Sequence, residues 1–462
     1  MMSNKTVLLY TIAAVAATGG LLFGFDTGVI NVALPFIKQE WNLSETAEAW
    51  SVSAVLVGGM VGSLLSGRLA DGLGRKRINI LAALVFTAGS VLTAVASSEE
   101  ILIAGRLLLG LAIGVVSFSV PLYIAEIAPG EIRGRLVTFF QLAITIGILI
   151  SYLVGFSFAE AENGWRLMFG VGFVPAAILL AGMFFVPESP RWLVSKGRDE
   201  EARQVLNRLH ETDRVDTEYQ QIKRVNDEEK ARKVDWRELF TKRLRIPFLI
   251  GIGIFLIQQF SGINAVIYYS TKIFNMSGFG SNTTSIMATV GVGVVNTLST
   301  LVAVRFLDQW GRKPLLFVGL IGTAVSLATI SFAFFFRESL GADLLRILSV
   351  GGVYVYIFFF AISLGPLGWL LISEVYPLRI RGFATSLGSF YHWFFDFWVS
   401  FTFPILAASS LGTNGGIFMI YTAVCLLGLL FARYIVFETK GMSLEDIERK
   451  WQKNPETSVS RT

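Results

Sequence analysis

Charge is what this chain has least of. Only 16% of its 462 residues are Asp, Glu, Lys or Arg, against about a quarter in soluble domains. Histidine occurs twice and cysteine once, as Cys425. A single cysteine excludes an internal disulfide, and its apolar neighbours make it a packing residue. Two histidines and one cysteine cannot supply a thiolate or imidazole metal cluster, so no metal and no cofactor is expected. A phosphate-binding GxxxxGK[ST] loop is missing as well, which argues against ATP-driven work and against an enzyme. The net charge of +5 is too small and too dispersed to point to nucleic acid.

Apolar residues fill the space. They make up 53% of the chain, 38 of them Phe, and the mean hydropathy is +0.61. A helix that crosses a bilayer needs about 20 consecutive apolar residues. Such runs fall near 7–30, 47–70, 78–98, 101–124, 135–158 and 165–187, and again near 246–274, 285–307, 314–336, 343–373, 382–408 and 414–437. The expected fold class is therefore an all-α membrane protein with about twelve transmembrane helices. The apolar run after "MMSNKT" is longer than a signal-peptide core and is expected to be a retained first span.

An even number of spans puts both termini on one side. The connectors "GRLADGLGRKR", "EIRGR", "RFLDQWGRKP" and "PLRIRG" all fall on that side and are rich in Arg and Lys. The opposite connectors "FGSNTT" and "SSLGTNGG" contain neither. The positive-inside rule places both termini in the cytoplasm of a multi-pass protein of the cell (inner) membrane. The expected domains are an N-terminal six-helix bundle (1–187), a cytoplasmic linker (188–245), a C-terminal six-helix bundle (246–437) and a cytoplasmic tail (438–462). The linker is highly charged, of mixed sign and poor in breakers, and is expected to form short amphipathic helices. His210, within it, is expected to be solvated.

The halves repeat. "RLADGLGRK" (68–76) aligns with "RFLDQWGRK" (305–313), "AEIAPGEIRG" (125–134) with "SEVYPLRIRG" (373–382), and "PESPRW" (187–192) with "FETKGM" (437–442). Two parallel repeats of six spans suit a transporter whose substrate sits between halves that rock against each other. The repeated charges are expected to form a conformational network at the cytoplasmic turns. Its members are Arg68, Asp71, Arg75, Glu126 and Arg133 in one half, and Arg305, Asp308, Arg312, Glu374 and Arg381 in the other. Glu126 is expected to join Arg133, and Glu374 to join Arg381.

A sugar site needs neutral donors and acceptors, because unpaired polar groups in hydrocarbon are strongly unfavourable. Amides suit it, since each both donates and accepts. "IQQFSGIN" (257–264) carries Gln258, Gln259 and Asn264, and its Ser261-Gly262 pair can break the helix and bring them together. Gln141 is the lone amide of the fifth span and Asn296 that of the eighth. Trp369, after Gly365, Pro366 and Gly368, offers a flat face for a sugar ring; Tyr268 and Tyr269 are expected to line or gate the cavity.

One carboxylate, Asp26, stands inside "LLFGFDTGVI" (21–30), and one cation, Arg106, inside "AGRLLLGLAIG" (104–114). Ionisable residues within spans face partners or cavities and mark functional sites. The two are expected to pair.

Together, "DGLGRKR", "PESPRWLVSKGR", "QQFSGINAVIYYS", "DQWGRKP", "GPLGWLLISEVYPLRIRG" and "ETKG" resemble the sugar porter family of the major facilitator superfamily, over nearly the whole chain. The resemblance is greatest to bacterial proton-coupled monosaccharide symporters. It implies two six-helix bundles, an intracellular helical linker and a monosaccharide site at the bilayer midplane. It also implies sugar contacts at Gln141, Gln258, Gln259, Asn264 and Trp369, with His392 at a further contact position, and proton coupling at Asp26 with Arg106. Three residues depart from the family pattern: Phe437 stands in place of a Pro, His392 in place of Asn or Gln, and Asp396 where Asn is common. The function implied is import of a hexose or pentose with a proton by alternating access, with the bilayer, the sugar and the proton as partners of a monomer. Two alternatives remain: a sugar uniporter with a structural Asp26–Arg106 pair, and a transporter-like sugar sensor, which usually carries a longer tail than 438–462.

Overall fold

A computed structural model describes residues 4–129, 132–211, 214–231, 241, 244–376 and 378–440. The expected 438–462 tail lies, from 441 on, outside these residues. Within them the chain is helical and contains no strand.

The helices run α1 (Asn4–Trp41), α2 (Glu45–Leu73), α3 (Arg75–Ala94), α4 (Glu99–Ile127) and α5 (Arg133–Phe158). Next come α6 (Gly164–Val171) and α7 (Phe173–Phe185), then α8 (Pro190–Ser195), α9 (Asp199–Leu209) and α10 (Val215–Ala231). The second half has α11 (Arg245–Phe260), α12 (Ile263–Met276), α13 (Asn282–Trp310), α14 (Arg312–Phe335), α15 (Arg337–Leu340) and α16 (Ala342–Ile362). It ends with α17 (Leu364–Val375), α18 (Leu378–Ala407), α19 (Ser410–Thr413) and α20 (Gly416–Tyr434).

Eleven stretches among the described residues are long and apolar enough to cross a membrane. With α18, 30 residues long, they account for the twelve expected spans. Three spans are built from two helices each: α6–α7, α11–α12 and α16–α17. Large apolar side chains on their outer faces are exposed, among them Phe185, Met287, Phe335, Ile347 and Leu427. Helices that are apolar on the outside as well as inside belong in lipid. The first span overruns its expected end at residue 30 and continues through Pro35 to Trp41. Its extra turns carry Asn31 and Lys38, whose polar groups find partners, so polarity there does not end the helix.

The chain forms two compact units. Unit 1 comprises Met1–Asp26, Val57–Ser151 and Arg166–Lys233; unit 2 comprises Thr27–Leu56, Tyr152–Trp165 and Val234–Thr462. Three long helices, α1, α2 and α5, thus contribute to both.

In unit 1, α3 packs along α4 and α7. The linker helices α8, α9 and α10 make a small core of their own from Trp192, Leu193, Val194, Leu206, Tyr219 and Ile222. That core explains the amphipathic pattern of this stretch. It also changes the reading of His210, which is 4% exposed rather than solvated. His210 Nε2 stands 3.1 Å from the Ile127 carbonyl, and Lys5 Nζ donates to the His210 carbonyl at 2.5 Å. The linker is thereby fastened to α4 and to the start of α1. In unit 2, α14 packs against α16 and α20, α13 against α16, and α11 against α17 and α18.

Candidate functional site

Asp26 and Arg106 meet in unit 1. Arg106 Nη1 donates to Asp26 Oδ1 at 2.6 Å, and the two side chains are 0% and 2% exposed. The other carboxylate oxygen, Asp26 Oδ2, is buried and has no hydrogen-bond partner among the described residues. One oxygen is held by a cation and the other is left open. Such a carboxylate can take a proton without first breaking its ion pair.

The amides gather in unit 2. The span containing them breaks at Ser261 and Gly262. Gly262 has φ +92, and a Cβ there would lie 2.4 Å from the Tyr421 ring. Only glycine fits both conditions. The freed backbone is satisfied locally: Tyr356 OH donates to the Ser261 carbonyl at 3.0 Å, and Ser261 Oγ to the Gln258 carbonyl at 2.7 Å. The break swings Asn264 back toward α11, where its Nδ2 donates to Gln259 Oε1 at 2.8 Å. Gln259 Nε2 lies 2.9 Å from His392 Nδ1, and that nitrogen lies 3.3 Å from Gln258 Oε1. Gln258 Nε2 donates to the carbonyls of Leu364 and Gly365, at 2.7 and 3.2 Å, at the start of α17. Trp369 packs beside this set, its ring 5.0 Å from Phe255 and 5.1 Å from His392. It remains 38% exposed, so one face is open. The arrangement presents amide, imidazole and aromatic groups together, which is the chemistry a polyhydroxylated ring requires.

Two expected contacts lie elsewhere. Gln141 belongs to unit 1, exposed on α5. Asn296 is half-buried on α13 and outside the hydrogen-bonded set.

The repeated charges form matching clusters. In unit 1, Arg75 grips Glu126 with two hydrogen bonds of 2.9 and 3.0 Å and reaches Asp71 at 3.1 Å. Glu188 accepts from the backbone N–H of Arg75 at 2.9 Å and of Lys76 at 3.1 Å. In unit 2, Arg312 holds Glu374 at 2.8 and 3.3 Å. Glu438 accepts from the N–H of Arg312 and Lys313, both at 3.0 Å. Each distant glutamate thus caps the positive end of a helix. Gly74 and Gly311, with φ +97 and +89, precede those helices, and a Cβ on either would press on the capping carboxylate. Phe437, where the family pattern has Pro, leaves this cap intact. Burial works against the charged form of Glu438, but backbone N–H donors from Arg312, Lys440, Lys313 and Thr439 outweigh it and hold its carboxyl below the usual range.

The pairing differs from expectation at Arg133. Glu126 is taken by Arg75, and Arg133 Nη2 reaches the Ala128 carbonyl at 3.4 Å instead. Arg75 wins because it offers two parallel donors to the carboxylate. Arg68 is exposed on α2. The side chains of Arg305, Asp308 and Arg381 lie outside the described residues.

One polar group was not singled out from sequence. Where α12 bends at Tyr269 (φ −132), Asn31 Nδ2 donates to the Ile267 carbonyl and to Ser270 Oγ, both at 2.7 Å, and its Oδ1 accepts from Thr271 N–H at 3.1 Å. Tyr152 OH also donates to the Ile267 carbonyl, at 2.8 Å. Close by, Lys38 and Lys272 bridge Glu45 and Glu48 at 2.6–2.9 Å. A cavity of about 420 Å³ is lined by Asn31, Lys38, Glu48, Tyr268, Tyr269 and Lys272 among others. The signal was present: Asn31 and Lys38 are seven residues apart, on one face of a continuing helix.

Comparison with known proteins decides the family. Residues 12–451 match the family model described as "Sugar (and other) transporter". The chain belongs to this family. It is 40% identical over 435 residues to the D-xylose transporter of Levilactobacillus brevis, covering 94% of this chain and 93% of that one. It is 38% identical over 453 residues to the galactose-proton symporter of Escherichia coli K12, covering 98% and 96%. Among solved structures, the inward-open conformation of the xylose transporter XylE from E. coli matches with a TM-score of 0.83 and 31% identity, covering 96% of this chain and 100% of that one. The fold of this family member is therefore the major facilitator fold, and it is a membrane transporter rather than an enzyme.

Proposed function

We propose that this chain imports a monosaccharide, a hexose or a pentose, together with a proton by alternating access. The observation that carries the reading is the buried Asp26–Arg106 pair with Asp26 Oδ2 left open. An inward proton gains about 2.3 kcal/mol per 100 mV of membrane potential, and Asp26 is the residue proposed to carry it. Sugar contacts are assigned to Gln258, Gln259, Asn264, His392 and Trp369 in unit 2, with Gln141 and Asn296 as further contacts. The paired charges at Arg75–Glu126 and Arg312–Glu374 serve as the conformational network, joined by Arg68, Asp71, Arg133, Arg305, Asp308 and Arg381. The names of the xylose and galactose-proton relatives support the substrate class.

The same reading keeps 1–187 and 246–437 as the two transport bundles, 188–245 as the cytoplasmic linker and 438–462 as the tail. Both termini face the cytoplasm of the inner membrane, and the working unit is the monomer. The test is uptake of radiolabelled D-xylose, D-galactose and D-glucose into proteoliposomes with and without an imposed proton gradient. Accumulation above the external concentration is expected only with the gradient. Asp26→Asn should abolish that accumulation while sugar exchange between equally loaded sides continues. Downhill flux that ignores the gradient would favour a uniporter with a structural ion pair, and absence of any flux would remove the sugar reading.

A further inference from the structure

A second buried carboxylate remains without a role. Asp396 lies mid-way along α18 and is 2% exposed. Among the described residues its polar neighbours are neutral: Ser400 Oγ donates to its Oδ1 at 2.9 Å, and the Asn264 side chain is its other hydrogen-bonding neighbour. Charged and titratable groups on the surrounding elements are engaged elsewhere or distant. On α12, Tyr269 OH donates to the Ser400 carbonyl at 2.8 Å, Tyr268 lines the cavity near Lys38, and Lys272 is bound by Glu45 and Glu48. On α17, Glu374 is held by Arg312. Arg245 sits at the first residue of α11, and α19 has no titratable side chain. On α18 itself the ionisable residue one turn before Asp396 is His392, with Tyr391 beside it stacked on Phe395.

Asp396 therefore terminates a continuous chain: Asp396, Asn264, Gln259, His392, Gln258. Its direction is set by hydrogen-bond donors. Asn264 N–H donates to Gln259 Oε1, and Gln259 N–H points at His392 Nδ1. In this polarity His392 carries its proton on Nε2, and Gln258 Oε1 faces a ring nitrogen that has no hydrogen to offer. The polarity fits an ionised Asp396, which accepts from Asn264. A protonated Asp396 must donate instead. Asn264 then turns its carbonyl toward it, Gln259 turns in response, and His392 must place its proton on Nδ1, where Gln258 Oε1 can accept it. The two polarities expose opposite groups to a bound sugar: carbonyl or N–H at Asn264, donor or acceptor at His392 Nε2.

We propose that Asp396 is a positioning residue whose protonation sets the polarity of the Asn264–Gln259–His392–Gln258 chain and so makes sugar affinity depend on pH, independently of Asp26. The proposal rests on the sugar-binding assignment above.

The experiment is equilibrium binding of radiolabelled D-xylose, D-galactose and D-glucose to purified full-length protein between pH 5.5 and 8.5. It compares wild type, Asp26→Asn, Asp396→Asn and the double variant. In Asp26→Asn, sugar affinity should still change with pH, by about 2- to 10-fold, the range for one hydrogen bond gained or lost. Adding Asp396→Asn should flatten the profile. A flat profile in Asp26→Asn, or an unchanged slope in the double variant, overturns the proposal. If no sugar binds to wild type at any pH, the sugar reading itself fails, and the proposal with it. Should Asp396→Asn not fold, infrared difference spectra of the Asp26→Asn protein give a second measure. Sugar addition should shift a carboxyl C=O band, and its absence also overturns the proposal.

Discussion

Two buried aspartates live in opposite surroundings. Asp26, in unit 1, is bound by a guanidinium and keeps one oxygen unpaired. Asp396, in unit 2, has a hydroxyl and an amide for company. A carboxylate facing a cation is a charge-balanced pair, and removing either member strands the other. A carboxylate among neutral groups can exchange a proton for a change in hydrogen-bond direction. The contrast assigns the transported proton to unit 1 and a tuning role to unit 2. The repeated cytoplasmic clusters teach the opposite lesson. There the two units are nearly superimposable in chemistry: arginine on glutamate, and a distant glutamate on a helix N-terminus.

The largest expected effect breaks the first contrast. Arg106→Ala leaves Asp26 as an unpaired buried charge and should destabilise the fold by about 3–5 kcal/mol. Asp26→Asn in the same chain should recover part of that loss. Asp396→Asn alone should shift the melting temperature little, because no cation depends on it. Thermal melts in detergent of the four proteins check this, and equal losses at Asp26 and Asp396 would erase the distinction.

Next in size is the sugar site. Gln258→Ala removes a side chain that spans His392 and the start of α17, and should weaken sugar binding by about 1–3 kcal/mol. Unchanged affinity for every bound sugar, read by isothermal calorimetry, would take Gln258 out of the site.

The repeat itself gives a smaller and symmetrical effect. Arg75→Ala and Arg312→Ala should each lower thermal stability by about 1–3 kcal/mol, since each leaves a largely buried glutamate without its partner. Arg133→Ala should do less, because Glu126 keeps Arg75. A larger loss at Arg133 than at Arg75 would contradict the pairing.

The smallest effect concerns pH. Glu438 has a depressed carboxyl, so its ionised form stabilises the fold. That contribution is complete above the ordinary glutamate range, about pH 4–5, and is lost as pH falls through the lowered folded value. Glu438→Gln should lower the melting temperature near neutral pH, with a gap that closes under acid. A gap constant from pH 7 to pH 3 would assign the loss to shape rather than charge.

Much of the machinery was legible in one dimension. Composition and apolar runs determine a polytopic helical protein, because only closed backbone hydrogen bonding is tolerated in hydrocarbon. Repeated motifs determine two related halves, and the pair Asp26 and Arg106 is implied by the scarcity of charge within spans. Ser261-Gly262 announces the broken helix, because glycine there permits a positive φ. Other features belong to the tertiary structure. Arg75 rather than Arg133 holds Glu126, Asn31 satisfies the bend at Tyr269, and His210 is buried against α4. Asp396, a simple departure in sequence, becomes the end of a hydrogen-bonded chain only when α18 lies beside α11 and α12. Apolar periodicity and charge scarcity are local and additive along the chain, so sequence carries them. Which donor reaches which acceptor depends on tenths of an ångström between helices remote in sequence, and only packing sets those distances.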